Sequence, residues 1–86
     1  MVAYSEKKRN ELYEKAYKLM MEKIKLSNDE HASETTRIRA NTDCMELSMQ
    51  LDNVDMADDD EADFAYEALE SSIDLVESGK PYKIYV

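Results

Sequence analysis

Ile24-Lys25-Leu26-Ser27-Asn28-Asp29-Glu30-His31 is the stretch on which the fold turns. Ser27, Asn28 and Asp29 carry short polar side chains that compete with helical backbone bonds and favour caps and turns. Ser27 and Glu30 also have the spacing of a capping box, which would start a new helix here. Read this way, a first helix ends at Leu26, a second begins at about residue 28, and the two form an antiparallel hairpin. No Gly or Pro enforces the break, however, and Tyr17, Ile24, His31, Ile38 and Met45 follow one another at intervals of seven. That heptad phase admits an alternative: one continuous helix to about Val54, ~75 Å long at 1.5 Å per residue, which would need a coiled-coil partner. Three consecutive cap-type residues, followed by Thr35 and Thr36 of low helix propensity, favour the hairpin.

Ser5 is the expected N-cap of the first helix, with Glu6 suited to its start and Lys23 and Lys25 to its end. Tyr13, Tyr17, Met20 and Ile24 form one apolar stripe on it, with Leu12, Leu19 and Leu26 beside them. On the second helix Ala40, Cys44, Leu47, Leu51 and Val54 make a stripe at helical spacing. Ile38, Met45, Met49 and Met56 make another on the far side, so this helix is apolar on two faces. Met20, Met45 and Met49 read as gap-fillers at core spacing, and Met21 and Met56 as exposed contacts. The third helix is expected to begin near Asp58, Asp59 and Asp60, whose acids would cap free N–H groups, and to end at Gly79, with Pro81 beyond. Ala62, Ala65, Tyr66, Leu69, Ile73 and Val76 face one way on it, and Phe64, Ala68 and Leu75 widen that arc. The tail Lys80 to Val86 reads as extended, with Tyr82, Ile84 and Val86 alternating against Lys83 and Tyr85.

The expected fold class is therefore all-α: a three-helix unit of a helical hairpin plus a third helix, at about 5–26, 28–55 and 58–78, in a single domain 1–86. Eighty-six residues with one Gly, one Pro and 43 % hydrophobic residues suit a small helical domain. Such a chain buries only about 60–65 % of the surface its unfolded form exposes. With apolar residues spread wider than the roughly 100–140° arc that a helix of a small bundle buries, assembly into a homo-oligomer is expected. Cys44 is the lone cysteine, a small apolar filler in a reducing compartment. No secretory h-region or membrane-spanning run is apparent, so the expected location is cytoplasmic, with no membrane partner.

Charge is distributed unevenly. Residues 1–26 hold seven Lys and Arg against four Glu, whereas residues 27–86 hold four against sixteen Asp and Glu, within a formal net charge of −9. From Ala40 to Gly79 there are thirteen acids and no Lys, Arg or His. Asp52, Asp55, Asp58, Asp59, Asp60, Glu61 and Asp63 place seven acids within twelve residues. Asp60, Asp63, Glu67, Glu70, Asp74 and Glu77 then continue as a one-sided helical ridge pointing away from the apolar arc, with an axial step of about 5 Å. One nucleic-acid strand presents a phosphate every ~3.4 Å, a density within a factor of two. These acids, Asp52 to Glu77, are the candidate partner-binding face for a basic protein surface, such as that of a nucleic-acid-binding protein. The face itself would repel DNA.

Chemistry of other kinds finds few residues. His31 is the only histidine, flanked by acids suited to surface pairing, and one His with one Cys cannot form a zinc site. The acids lack the glycine and alternation of an EF-hand loop, and a single Gly at position 79 excludes a phosphate-binding glycine loop. The expectation is a protein without catalytic residues, metal or cofactor, and not an enzyme. Its size, acidity and want of catalytic groups resemble in general terms the DNA-mimic inhibitors encoded by phages and mobile elements, a likeness of composition. That resemblance implies a small acidic inhibitor of a nucleic-acid-binding partner. A second function class starts from the basic pole. In a hairpin, Lys18, Lys25, Arg37 and Arg39 approach Tyr13 and Tyr17, a set able to hold a nucleotide or other phosphate ligand at a subunit interface.

Overall fold

Two serines and a glycine set helix boundaries in the computed structural model, which describes residues 4–80. Helix α1 spans Glu6–Ser27, α2 spans Glu34–Met56 and α3 spans Ala62–Ser78. Ser5 caps α1 as its sequence position predicts, its Oγ accepting the Lys8 N–H at 3.1 Å. Gly79 ends α3 in the left-handed region at φ 68°, where a residue without Cβ is least strained. The extended tail expected over 80–86 lies, beyond Lys80, outside the described residues.

The break after Leu26 is real, but α2 starts six residues later than expected. Ser27 does not begin a capping box. Its hydroxyl donates to the Ile24 carbonyl at 2.8 Å, and Asn28 Nδ2 donates to the same oxygen at 3.1 Å. Both cap-type side chains thus serve one carbonyl left open at the end of α1 instead of N–H groups at the start of α2. Asp29 Oδ1 accepts the His31 N–H at 2.9 Å and tightens the connecting turn. The next cap-type residue, Ser33, then starts α2, accepting the Thr36 N–H at 3.2 Å. The described residues extend 43 Å along their longest axis, so the ~75 Å continuous helix is not adopted.

The start of α3 also differs. Ala57 is extended, Glu61 N–H donates to Asp58 O at 2.9 Å, and the helix begins only at Ala62. Asp58, Asp59 and Asp60 therefore form a turn ahead of the helix, and no side chain caps α3 at Glu61. Asp has low helix propensity, and three adjacent like charges raise the cost of winding them into one turn.

The core is built by Leu12 and Ala16 of α1, Leu47 and Leu51 of α2, and Leu69, Ile73 and Val76 of α3, with Tyr4, Tyr13, Leu19, Met20, Val54 and Tyr66 around it. Ala16 and Ala40 are fully buried, and their small side chains let the helices approach closely. Ser72, buried on α3, donates to Glu46 Oε1 across to α2 at 2.9 Å. Tyr17 is half exposed, because the buried line of α1 runs through Leu12 and Ala16, to one side of the tyrosine stripe. Met45 and Met49, expected at core spacing, are exposed together with Ile38 and Met56, and Phe64 on α3 is exposed as well. One three-helix unit can cover only one side of α2, and Leu47 holds that side.

A charged network joins all three helices at the end of the bundle that holds the α3 C-terminus. Asp43 lies fully inside and is held by Arg39 Nε at 2.8 Å and by Lys23 of α1 at 3.7 Å. The same Arg39 guanidinium reaches the end of α3, donating to Lys80 O at 2.6 Å and Leu75 O at 3.5 Å. Cationic donors at these carbonyls complement the negative end of the α3 dipole.

Candidate functional site

The acidic face divides into two parts with different surroundings. On α3, Asp63, Glu70 and Glu77 recur every seven residues and drift toward α1, which presents Lys8 and Lys15 at the same interval. Because α1 and α3 run parallel, the two sets meet: Arg9–Asp63 at 3.0 Å, Lys8–Glu70 at 3.4 Å and Lys15–Glu77 at 3.1 Å. Half of the expected ridge thereby lies along α1 and is ion-paired to it, with Asp63 and Glu70 partly buried and Glu77 still exposed. Asp60, Glu67 and Asp74 occupy the outer line; all are exposed, and none forms an ion pair among the described residues.

Asp63 is the most engaged of these acids. The Tyr4 N–H donates to its Oδ1 at 3.1 Å and Arg9 Nη2 to the same atom at 3.0 Å. The Tyr4 amide bond first, and the Arg9 bond second, hold the Asp63 carboxyl below the ordinary carboxylate range. Tyr4 closes the corner. Its hydroxyl donates to Glu70 Oε1 at 3.0 Å, its ring lies 6.4 Å from that of Tyr66, and Arg9 covers the Tyr66 ring at 5.4 Å. Partial burial, then the bond to Glu70, raises the Tyr4 phenol above its usual value.

The second part is the corner between α2 and α3. Asp52, Asp55, Asp58, Asp59, Asp60 and Glu61 are all exposed, and no cation pairs with any of them among the described residues. Among the described residues Asp55 accepts a single hydrogen bond, from the Tyr13 hydroxyl at 3.2 Å. Burial, followed by the nearby Asp55 charge, raises the Tyr13 phenol. Unpaired negative charge is thus concentrated at this corner and continues thinly along Glu67 and Asp74.

Of the candidate anion-binding residues, Arg39 is committed to Asp43 and the α3 carbonyls, and Tyr13 to Asp55. Lys18 pairs with Glu14 at 2.9 Å, a bond that raises the lysine and lowers the glutamate. Tyr17, Lys25 and Arg37 are exposed, and Arg37 lines a shallow depression with Ser27, Glu34, Ile38 and Asn41. That depression contains no other member of the set.

His31 is exposed in the α1–α2 turn and Cys44 is half-buried on α2. Among the described residues no group of three or more His, Cys, Asp or Glu is placed to hold a metal ion, and no helix is long and apolar enough to cross a membrane. The sequence reading missed Lys8, Arg9 and Lys15 as partners of the ridge, and Asp43 as a buried charge. The matching seven-residue intervals on the first and third helices were the available signal for the former. The Arg39–Asp43 spacing of four hinted at the latter without showing that it is buried. No protein-family model matches the chain, and comparison with curated proteins and with solved structures finds no match.

Proposed function

We propose that this chain is a small non-enzymatic interaction protein whose α2–α3 acidic corner docks on a basic site of a partner protein, of the kind that normally holds nucleic-acid phosphates. The observation that carries this reading is the contrast between the two parts of the acidic face. The cations of α1 pair with the Asp63, Glu70 and Glu77 line, while six exposed acids from Asp52 to Glu61 have no cation paired with them among the described residues. Concentrated charge of one sign steers a complementary surface and speeds its association. The outer ridge line has an axial step of about 10 Å, since every second acid is paired, so phosphate-like density survives only at the corner. The nucleotide-binding alternative is less favoured, because a ligand would have to displace Arg39 from Asp43, which lies inside the bundle.

The test is capture from host extract on the immobilised chain at low salt. A basic protein released by added salt and displaced by duplex DNA supports the proposal. The Asp58→Asn, Asp59→Asn, Asp60→Asn triple variant should lose the same partner by roughly ten- to a hundredfold, at about 0.5–1 kcal/mol for each rim charge. Equal capture by parent and triple variant at low salt would overturn it.

A further inference from the structure

The outer face of α2 carries apolar residues that the three-helix unit leaves uncovered. Ile38, Met45, Met49 and Met56 fall within about 40° of one another around the helix, on the side opposite Leu47, and form a seam about 27 Å long. Their exposures, with that of Phe64 close by on α3, run from 50 to 82 %. Beside Met56 and Phe64 lies a depression of about 520 Å³, also lined by Ala65, Ala68 and Gln50. Gln50 Oε1 is buried there without a hydrogen-bond partner among the described residues.

We infer that this seam is covered by the same seam of a second copy of the chain, packed antiparallel about a two-fold axis at the level of residue 47. The intervals along the seam are seven, four and seven, the same in either direction. An isologous two-fold contact requires such self-complementarity. The axis sets Ile38 against Met56 of the second copy and Met45 against Met49, so that apolar side chains meet along the whole length. Ile38 of each copy is also brought to the depression beside Met56 and Phe64 of the other.

Charge selects this direction over the parallel one. From 45 to 56 the helix holds Glu46, Asp52 and Asp55 and no cation, and the acidic turn 58–61 follows. Parallel copies would set these acids against each other. Antiparallel copies instead bring Arg37 to the flank that carries Asp55 in the second copy, so that in the dimer the acidic corner offered to a basic partner is the turn Asp58 to Glu61. Arg37 is exposed, and no ion pair engages it among the described residues. Area agrees as well. A large side chain offers on the order of 150–200 Å² when fully exposed, so the five residues present about 500 Å² per copy. The polar flanks Asn41, Asp52 and Asn53 extend this toward the ~800 Å² per partner of a stable interface.

The chain should therefore sediment as a dimer at micromolar concentration. Met45→Lys should keep its helical circular dichroism, since residue 45 faces outward within one unit, yet weaken dimerisation by about a hundredfold. Arg37→Asp should weaken it by about tenfold, and adding Asp55→Arg should restore it. Orientation is read by disulfide trapping in a Cys44→Ser background. Mixed Ile38→Cys and Met56→Cys chains should form the heterodisulfide, while neither variant alone should form its homodisulfide. A monomer at all concentrations, a Met45→Lys variant as dimeric as the parent, or a dominant Ile38→Cys homodisulfide would each overturn the proposal.

Discussion

Arg39→Met should cost the fold about 3–4 kcal/mol, whereas Asp43→Asn should cost only about 1–2 kcal/mol. The asymmetry follows from where each charge lies. The Asp43 side chain is 2 % exposed, and Arg39 at 2.8 Å is its nearest cation among the described residues; Lys23 stands off at 3.7 Å. Removing Arg39 takes the close charge from a carboxylate that water cannot reach, the case in which breaking a buried pair costs about 3–5 kcal/mol. The Arg39 side chain is 27 % exposed, so after Asp43→Asn the guanidinium can hydrate, and Asn still offers an oxygen to accept from it. Met fills much of the volume of the Arg stem, which keeps lost packing out of the comparison. For a domain of this size each kcal/mol moves the midpoint by about 4–8 °C, so Arg39→Met should melt roughly 12–30 °C below the parent. Urea titrations followed by circular dichroism, with thermal melts alongside, measure both variants. Arg39→Met within about 1 kcal/mol of the parent, or Asp43→Asn the more damaging of the two, would show that the buried carboxylate does not depend on Arg39.

Three further outcomes are expected. Asp63 has its folded pKa depressed, so its contribution to stability is full above the ordinary carboxylate value and is lost as pH falls through the lower folded value. The advantage of the parent over Asp63→Asn should accordingly be constant near neutrality and shrink below about pH 4; an advantage undiminished in stronger acid would contradict the assignment. Ser33→Ala should cost about 1 kcal/mol, because it removes a true N-cap, and Ser27→Ala less, because Ser27 bonds a carbonyl that water can satisfy; equal costs in chemical denaturation would restore Ser27 as a cap. Gly79→Ala should cost about 1 kcal/mol from backbone conformation alone, since an added Cβ meets nothing within 4 Å at φ +68°; an unchanged midpoint would show that the α3 terminus adjusts.

The helix count, the hairpin and the end of α3 were legible because each rests on local signals: apolar period, a cluster of cap-type residues, and one glycine. The starts of α2 and α3 were not, since Ser27 and the Asp58–Asp60 run use their side chains for turns that a spacing rule cannot tell from caps. Two apolar faces on α2 could be read from the sequence. Which of them the chain covers depends on the partners of Leu47 and Met45, and helical spacing is equal for both. The acidic ridge was visible as a row of charges, yet its division into an engaged and a free line needed the parallel placement of α1 beside α3. That placement pairs residues 54 or more positions apart, as between Arg9 and Asp63.

The two ends of α3 differ in how firmly they are held. Its last turn has Gly79 and the Arg39 fork, while its first turn, at Glu61, has no side-chain cap. Asp63 sits in that first turn, but its Oδ1 serves the Tyr4 amide and Arg9. Local opening should therefore start at the N-terminal end of α3, with the amides of residues 62–65 exchanging with solvent well before those near Val76. This soft turn adjoins the exposed acids from Asp58 to Glu61. A partner gripping those acids would have to order the turn as it binds, giving up affinity for the entropy lost, and the complex would announce itself as slowed hydrogen exchange at 62–65.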